Sequence, residues 1–538
     1  MANNQPRTPA GRPLGGSWTA REKDASAVTL APADARTPAP DLIELTPATQ
    51  RVLDAIIDAG GRPLIVGGSV RDALIARANG QTVESKDIDI EVYGVDGHQQ
   101  LIDALEPLGH VDERGVSFGV VSATVDGEEF DISLPRRESN AGSGHQGFDI
   151  DVDPDLDERT AFGRRDFTLN ALGWDPTTGE LVDHYGGRSD LEAGILRHTT
   201  DAFAEDPLRV LRAMQFAGRF GFTVAPETQE LARSIADEYQ HLSRERVWGE
   251  WKKLSLRGKD MTGALGVLRD TDWIRHYPAL ADTIGNAQDT HWHPEGDVFT
   301  HLGMAADQAA ARATADDLPA ESRTVLVLSA LLHDVGKPTT TEVELIDGRE
   351  TITSRGHSRA GVSVAQKFLT DIGASEAIAN KVLPLIDEHM SHVSTDGEPS
   401  ANAVRALIRR LDNGGTGPSI YDWARLVDAD VSGRGHVKRS PSADWIRVAE
   451  FVGPEPRSSL LLGSHLAERG YTPGPGWNLV IAAAIEAQDQ GEFDDEAGAV
   501  AWMIERDLAP VGNPPRPSNR NRSQTLRWLR AHRPDRLE

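Results

Sequence analysis

The sequence predicts an α+β protein in which a domain with a small mixed sheet is followed by a long helical part. Between residues 47 and 190, short apolar runs of β-strand character alternate with glycine turns and with stretches of helical periodicity. Beyond residue 190, apolar residues recur mainly at helical spacing, and histidines concentrate in the middle of that part. These two observations predict one mixed domain and several helical ones.

Composition narrows the possible functions. The chain has 538 residues, 39% of them hydrophobic and 26% charged, which is ordinary for a globular protein. It contains no cysteine, so disulfides and thiolate sites are excluded, and a cytoplasmic location is expected. Its apolar runs are too short for a membrane span. A net charge of −27 argues against non-specific nucleic-acid binding by the whole surface, although a local basic face can still bind.

The chain divides into five predicted segments. The first is rich in Pro, Ala, Gly and Thr and is expected to be disordered. The others are a mixed domain, a helical neck, a histidine-rich helical domain, and a helical C-terminal region with a basic tail. Their predicted limits are 1–46, 47–190, 191–290, 291–436 and 437–538.

Within the mixed domain, the elements are predicted in order from local patterns. Predicted strands cover residues 63–67, 87–93, 118–125 and 129–134, and predicted helices cover 47–59 and 99–108. At the end of the first strand, Gly67 and Gly68 allow the backbone to approach a phosphate chain closely. The helix that follows presents its N-terminus to an anion, and Arg71 can bind phosphate through two N–H groups.

Two carboxylates of the second strand carry the strongest chemical signal. Asp87 and Asp89 alternate along the strand, so they point to the same face. Adjacent carboxylates repel each other unless a divalent cation compensates their charge, which predicts a Mg²⁺ site. A third carboxylate is expected on the strand around residue 131, where Asp131 and Glu129 have the same parity. Glu91 shares the face of the aspartate pair and is a further candidate ligand.

Two later motifs supply polar groups at helical spacing. Asp166 and Asn170 are four residues apart and would share a helix face, from which both can reach a ribose. Asp206 and Arg209 are three apart at a helix start in which Pro207 suits the first turn. A carboxylate and a guanidinium side by side would offer hydrogen-bonding edges to a base. The alternative for each motif is a capped, solvated helix start with an ion pair.

These motifs, in this order, resemble the class II tRNA nucleotidyltransferases and bacterial poly(A) polymerases of the polymerase β superfamily. The matching pieces are Gly67-Gly68-x-Val70-Arg71-Asp72, Asp87-x-Asp89, Arg165-Asp166-x-x-x-Asn170-Ala171 and Glu205-Asp206-x-x-Arg209. The resemblance implies a polymerase-β-like head, catalysis by Asp87, Asp89 and Asp131, and metal binding by the first two. It implies nucleotide binding by Gly67, Gly68, Arg71, Asp72, Asp166, Asn170, Asp206, Arg209 and Arg212. Glu91 departs from the family pattern, which has an apolar residue there.

The histidine-rich segment predicts a second metal site. His301 lies in a helical stretch, His333 and Asp334 end an apolar helix, and Asp430 lies further downstream. Imidazoles and carboxylates without thiolates suit a divalent metal, either a transition metal or Mg²⁺. This segment resembles the HD phosphohydrolase domain, which implies that these four residues are the metal ligands. The choice of Asp430 over Asp428 rests on that resemblance, and His357, His389 and His392 are further candidates.

Together, the two resemblances imply a tRNA nucleotidyltransferase that adds CCA from CTP and ATP, with additional hydrolysis of 2′,3′-cyclic phosphates and phosphomonoesters. tRNA, CTP and ATP are the expected partners. The alternatives are a poly(A) polymerase or a partial A-adding or CC-adding enzyme, a phosphohydrolase with an inactive transferase site, and a non-catalytic RNA-binding protein. The loop 138–149 is a candidate mobile element between C and A addition, and the arginine-rich tail beyond residue 515 is a candidate tRNA contact.

Overall fold

The computed structural model describes residues 35–81, 87–112, 119–140, 148–153, 156–394, 397–435, 440–471, 473–506 and 508. The described chain forms two compact units. The first ends at Ala281 and also includes Asp371–Gly373, and the second comprises the remainder. The predicted N-terminal disorder before residue 35, the centre of the predicted mobile loop and the basic tail lie outside the described residues.

The first unit is built on an eight-stranded mixed sheet. Its spatial order is β1-β10-β9-β2-β3-β6-β5-β4, with β3 and β6 parallel and the other described pairs antiparallel. A separate antiparallel pair, β7 and β8, and a short parallel pair, β11 and β12, lie beside it. The strands are β1 (Arg36–Pro38), β2 (Arg62–Val66), β3 (Asp87–Tyr93), β4 (His110–Asp112), β5 (Val120–Val125), β6 (Glu128–Ser133), β7 (Arg136–Asn140), β8 (Phe148–Val152), β9 (Leu172–Asp175), β10 (Glu180–Asp183), β11 (Ile195–Leu196) and β12 (Thr223–Val224).

Ten α-helices complete the described part of the first unit. The earliest begins where the sequence predicts, because Thr46 accepts a hydrogen bond from the Thr49 amide and a proline occupies the first turn. The helices are α1 (Pro47–Asp58), α2 (Gly68–Ala78), α3 (His98–Leu105), α4 (Glu158–Gly163), α5 (Gly187–Ala193), α6 (Leu208–Phe220), α7 (Pro226–Ser234), α8 (Arg244–Arg257), α9 (Met261–Asp270) and α10 (Pro278–Ala281). The sheet and the helices that follow it confirm the predicted α+β class.

The N-terminal boundary of this unit differs from the prediction. β1 pairs with β10, and Leu42 and Ile43 are buried in the core beneath the sheet. Ordered structure therefore includes residues 36–46, and the predicted boundary at residue 47 is wrong. The prolines of this stretch obscured the strand, but an edge strand such as β1 tolerates Pro38.

The second unit is helical, apart from one hairpin. Its helices are α11 (Val298–Ala315), α12 (Ala320–Leu332), α13 (His357–Asp371), α14 (Glu376–Glu388), α15 (Ala401–Asp412), α16 (Ile420–Gly433), α17 (Ala443–Val452), α18 (Gly463–Ala467), α19 (Pro475–Asp489) and α20 (Glu496–Glu505). The hairpin consists of β13 (Glu342–Ile346) and β14 (Arg349–Thr353). None of the helices in the described residues is long and apolar enough to cross a membrane.

The centre of the second unit is the packing of α11 against α12 and α16. A column of alanines on α11 is fully buried and allows its neighbours to come close. At Gly433 of α16, an added Cβ would lie 2.9 Å from the Ala305 amide nitrogen, so a larger residue would force α16 away from α11. This close approach brings His301 of α11 and Asp430 of α16 together.

Candidate active sites

The first candidate site begins at the turn between β2 and α2. Gly67 has a φ of 74°, and its amide donates a hydrogen bond to the Leu172 carbonyl. An added Cβ at Gly67 would lie 2.9 Å from Arg165 Nη1 and 3.6 Å from Asp89 Oδ2. Glycine is therefore required both by the backbone and by the neighbours. The helix N-terminus, the guanidinium of Arg165 and the carboxylate of Asp89 meet at this turn.

The strand register places the predicted carboxylates side by side. In the parallel pair β3 and β6, Asp87 is opposite Glu129, and Asp89 is opposite Asp131. Asp131 accepts a hydrogen bond from Ser122 Oγ at 2.7 Å. Asp89 and Asp131 both line an open cleft; its described lining does not include Glu129. The remaining lining residues are Val66, Glu91, Val120, Ser133, Arg136, Arg164, Arg165 and Arg209.

Glu91 is held differently from the two aspartates. Only 1% of the residue is exposed. Tyr93 donates a hydrogen bond to Oε1 at 2.5 Å, and Arg165 Nη2 lies 3.3 Å from Oε2. Both carboxylate oxygens of Glu91 already have partners, so Glu91 is not available as a metal ligand. Asp89, in contrast, is exposed.

The predicted ribose contacts form one buried hydrogen-bonded network. Asn170 donates to Asp166 Oδ1 at 2.8 Å, and Arg71 donates to Asn170 Oδ1 at 2.5 Å. Arg212 binds the other oxygen of Asp166 through Nε at 2.7 Å. Burial opposes ionisation of Asp166, but Arg212 and the hydrogen bonds outweigh it, and the pKa of Asp166 is lowered. The two residues do meet, but through a 3₁₀ turn (Thr168–Asn170) rather than the predicted helix face.

Arg71 and Asp72 are likewise part of a fixed network. Arg71 is 5% exposed and lies over the rings of Phe216 and Phe220. Its Nε donates to Asp72 Oδ1 at 2.8 Å, and Arg219 pairs with the other oxygen of Asp72 at 3.3 Å. These contacts fix Arg71 beside the Gly67-Gly68 turn: a Cβ added to Gly68 would lie 3.5 Å from Arg71 Nη2.

The predicted base-reading pair is not arranged on one helix face. Asp206 has extended backbone before α6 begins, and its carboxylate accepts hydrogen bonds from Arg246 at 3.2 and 2.9 Å. Arg209 donates to the carbonyl oxygens of Ala202 and Arg164 and faces the cleft. The two residues are therefore held by separate partners, and the role of Arg246 was not predicted. Arg246 is 40 positions away in sequence, beyond the reach of local periodicity.

The second candidate site is a cluster of buried histidines in the second unit. His333, His357 and His389 each place Nδ1 within 2.7 to 2.8 Å of a backbone carbonyl oxygen. A carbonyl can only accept a hydrogen bond, so Nδ1 carries the proton and Nε2 presents a lone pair. His301 Nδ1 similarly lies 2.8 Å from the carboxylate of Glu295. In its neutral form, each of the four rings would therefore present an Nε2 lone pair to the cluster.

These Nε2 atoms converge on two aspartates. His301 Nε2 lies 3.2 Å from His333 Nε2 and 3.0 Å from Asp430 Oδ1. His333 Nε2 lies 3.3 Å from Asp334 Oδ2, while His357 Nε2 lies 3.0 Å from Asp334 Oδ1. His357 and His389 face each other through Nε2 at 3.1 Å. Opposed lone pairs beside carboxylates fit a divalent cation, and the ligand atoms are near enough to share one.

Asp430, rather than Asp428, points into this cluster. The carboxylate of Asp430 also binds Arg434 at 2.7 and 2.8 Å, whereas Asp428 accepts hydrogen bonds from two serine hydroxyls outside the cluster. Burial opposes ionisation of both cluster aspartates, but Arg434 and His301 hold the pKa of Asp430 well below its usual range. His333 and Lys337 do the same for the pKa of Asp334.

Two residues that contact the cluster, Glu295 and Lys337, were not predicted from the sequence. Glu295 Oε1 accepts a hydrogen bond from His293 Nδ1 at 2.8 Å and lies equally close to His301 Nδ1. Burial opposes ionisation of Glu295, but these two histidines outweigh burial and lower the pKa of Glu295 to about 2. Lys337 Nζ, also buried, lies 2.6 Å from Asp334. The short spacing His293-Pro294-Glu295 was the available signal for Glu295. His392, a further predicted candidate, has its Nδ1 on the His389 carbonyl and its ring beside Trp423.

Two family models match this chain. The sequence model of the poly A polymerase head domain matches residues 64–197, and that of the HD domain matches residues 298–414. The chain is 34% identical over 377 residues to the multifunctional CCA protein of Vibrio parahaemolyticus, covering 69% of this chain and 85% of that protein. It is 33% identical over 391 residues to the protein of the same name from Hahella chejuensis, covering 71% and 85%.

The fold is similar to that of a solved enzyme. The crystal structure of the Bacillus stearothermophilus CCA-adding enzyme in complex with CTP superposes with a TM-score of 0.57 at 19% sequence identity. The match covers 86% of this chain and 98% of that structure. At this level of identity, the likeness concerns the fold.

Proposed function

Because this chain belongs to the multifunctional CCA protein family, we propose that it adds CCA to the 3′ end of tRNA, using CTP and ATP. The observation that carries the proposal is the meeting of Asp89 and Asp131 with the Gly67-Gly68 turn in one cleft. Carboxylates for a divalent cation and a cradle for phosphate are what nucleotidyl transfer requires. We propose that this activity takes place in the cytoplasm, where tRNA, CTP and ATP occur together.

Three carboxylates would hold Mg²⁺. They are Asp87 and Asp89 on β3 and Asp131 on β6, which the register sets directly opposite Asp89. When bound there, Mg²⁺ would supply charge neutralisation for the triphosphate and the pyrophosphate leaving group, and activation for the 3′-hydroxyl. We prefer Asp131 to Glu129 as the third carboxylate because Asp131 lines the cleft with Asp89.

The remaining site residues would bind the nucleotide. The triphosphate would lie against Gly67, Gly68 and Arg71, beside Asp72. The ribose would lie against Asp166 and Asn170, whose network ends at Arg212. The base would meet Arg209 and Asp206, with Arg246 orienting the carboxylate of Asp206. The loop 138–149 remains a proposed mobile element.

Substitution at matched carboxylates tests this assignment. Purified protein is incubated with tRNA lacking its 3′ CCA, Mg²⁺, CTP and ATP. Asp89→Asn and Asp131→Asn are each expected to lower incorporation at least about a hundredfold, because each removes a proposed metal ligand. Glu129→Gln, on the same face of β6, is the control and should retain incorporation. Loss in Glu129→Gln with retention in Asp131→Asn would overturn the choice of third carboxylate.

A second proposed activity belongs to the histidine cluster. We propose that it binds divalent metal and hydrolyses 2′,3′-cyclic phosphates and phosphomonoesters. His301, His333 and Asp430 would hold one metal, and His357 and His389 another. Asp334 faces both groups, with one oxygen towards each. When bound, the metal would supply an activated water for attack on phosphorus. The cation is a transition metal or Mg²⁺.

The neighbouring aspartates of α16 provide a matched pair for this test. Hydrolysis of 2′,3′-cyclic AMP is measured with Mg²⁺, Mn²⁺, Co²⁺ or Ni²⁺ added in turn. Asp430→Asn and His333→Ala should lower it at least about a hundredfold, whereas Asp428→Asn should not. Asp89→Asn should also leave it intact, since that change lies in the first unit. Equal loss in Asp428→Asn and Asp430→Asn would contradict the assigned ligands.

A further inference from the structure

The buried ion pair of Glu91 and Arg165 is not explained by metal or base binding. Glu91 lies in the sheet interior, where an unpaired carboxylate would be strongly unfavourable. Its two oxygens are divided between two partners: Tyr93 binds Oε1 and Arg165 binds Oε2. The arrangement keeps a buried negative charge at the wall of the cleft, in contact with Arg165.

Tyr93 is the partner of the first oxygen of Glu91, not of the one that meets Arg165. Burial of the Tyr93 ring, followed by the nearby charge of Glu91, raises the pKa of Tyr93, so the hydroxyl keeps the proton that it donates. The guanidinium of Arg62 lies over the Tyr93 ring, 4.9 Å from its centroid. The second oxygen of Glu91 binds Arg165 independently of this hydrogen bond.

Arg165 is confined on three sides. Glu91 binds its Nη2, the ring of Phe162 lies 5.5 Å from its guanidinium carbon, and its Nη1 lies against Gly67. The side chain is 22% exposed and lines the cleft that contains Asp89. Arg165 Nη1 and Asp89 Oδ2 both lie within 3.6 Å of the same point, the position of an added Gly67 Cβ.

We propose that Glu91 is a positioning residue that holds Arg165 against the Gly67-Gly68 turn, where its guanidinium meets the triphosphate of the incoming nucleotide. This inference rests on the proposed nucleotidyl transfer. Arg165 has a long side chain, and Asp89 and Asp131, the proposed metal ligands, line the same cleft. Glu91 therefore has two effects: it directs a cation to the phosphates, and it keeps that cation away from the metal site.

The experiment compares nucleotides with and without the triphosphate. Binding of CTP and of CMP, and the KM for CTP and ATP with tRNA lacking CCA, are measured for the wild-type chain and Glu91→Gln, an isosteric change. Loss of the charge-assisted contact is expected to weaken CTP binding and raise both KM values about tenfold, with little change in CMP binding or kcat. The Mg²⁺ concentration for half-maximal activity should rise as Arg165 moves towards Asp89.

Two further variants separate positioning from a structural role. Tyr93→Phe removes the other hydrogen bond of Glu91 but leaves the ion pair, and should change the KM for CTP by less than about twofold. In the Arg165→Gln background, Glu91→Gln should add no further loss, because the two residues act through one contact. If Glu91→Gln does not fold, Glu91→Asp, which withdraws the carboxylate from Arg165, should give the same selective loss of CTP binding.

Three results would overturn the inference. They are equal weakening of CTP and CMP binding, an additive effect with Arg165→Gln, and identical kinetics in Glu91→Gln and Tyr93→Phe. A wild-type chain that extends no tRNA would instead refute the proposed function. A wild-type chain that adds CCA while Glu91→Gln remains unimpaired would refute only the role of Glu91.

Discussion

Single hydrogen bonds set the chemical state of the residues in both sites. In the histidine cluster, backbone carbonyls hold the Nδ1 protons, so the Nε2 lone pairs face inwards. His301 is the exception, because a carboxylate, Glu295, takes the place of the carbonyl. A carboxylate behind a histidine increases the basicity of its inward nitrogen and strengthens metal binding. The effect of Glu295 on metal binding can therefore be tested by substitution.

Glu295→Gln should weaken metal binding by the second unit about tenfold, because an outer-shell partner of a ligand is lost while the ligand itself remains. The measurement is titration of the metal-free full chain with Mn²⁺ or Co²⁺, followed by calorimetry or by the visible absorption of Co²⁺. Glu344→Gln, on the exposed β13 hairpin, is the control. Unchanged affinity in Glu295→Gln would show that Glu295 does not tune His301.

We expect Asp166 to make a pH-dependent contribution to the stability of the first unit. Its pKa in the folded protein is lowered from the ordinary 3.8, so the stability it contributes is present above that value and is lost as pH falls through the folded pKa. At neutral pH, Asp166→Asn should destabilise the first unit by about 3 kcal/mol, because Arg212 is left without its partner. The difference from wild type should shrink below pH 4. Denaturant titrations at several pH values check this, and a difference that grows on acidification would contradict it.

The residues that sequence patterns could predict are those whose partners are local. Glycine at a turn and alternate aspartates on a strand are local signals, and the structure brings Gly67 close to Asp89, which lines the cleft. Glu91 and Asp206 could not be interpreted in this way, because their partners Arg165 and Arg246 lie 74 and 40 positions further along the chain. For the same reason, local parity could not separate Asp131 from Glu129, and the proposed choice of Asp131 rests on the described lining of the cleft.

At the scale of elements, strands and helices with strong periodicity were predicted closely, and irregular ones were not. β3 covers the predicted residues 87–93, and α1 begins at the predicted Pro47. The predicted C-terminal helical segment divides into α19 and α20, since Asp495 caps a new helix. β1 was missed because Pro38 lies in a proline-rich stretch typical of disorder, whereas the position of β1 at a sheet edge tolerates a proline.

The contribution of the residues after β1 can be measured directly. Ile43 is 3% exposed in the core of the first unit, so Ile43→Ala should cost about 2 to 4 kcal/mol of unfolding free energy. The neighbouring exposed Glu44 is the control, and Glu44→Ala should change stability by less than about 0.5 kcal/mol. Equal effects of the two substitutions in denaturant titrations would show that residues 36–46 do not belong to the folded core.

At the scale of the whole molecule, the charge of one cleft differs from the average charge of the chain. The chain has a net charge of −27, yet Arg136, Arg164, Arg165 and Arg209 line one cleft beside two aspartates. This local basic character suits a polyanionic substrate despite the overall charge. The second unit contains a different constellation, of buried imidazoles and carboxylates. The two compact units thus provide separate chemistries for the two proposed activities.

The central claim is CCA addition, and the length of the products tests it most directly. Labelled tRNA lacking CCA is incubated with the full chain, Mg²⁺ and CTP, ATP or both, and the products are resolved at single-nucleotide length. We predict two added residues with CTP alone, three with both nucleotides, and no further growth. Long A tails, addition of A alone, or extension that persists in Asp89→Asn would contradict the claim.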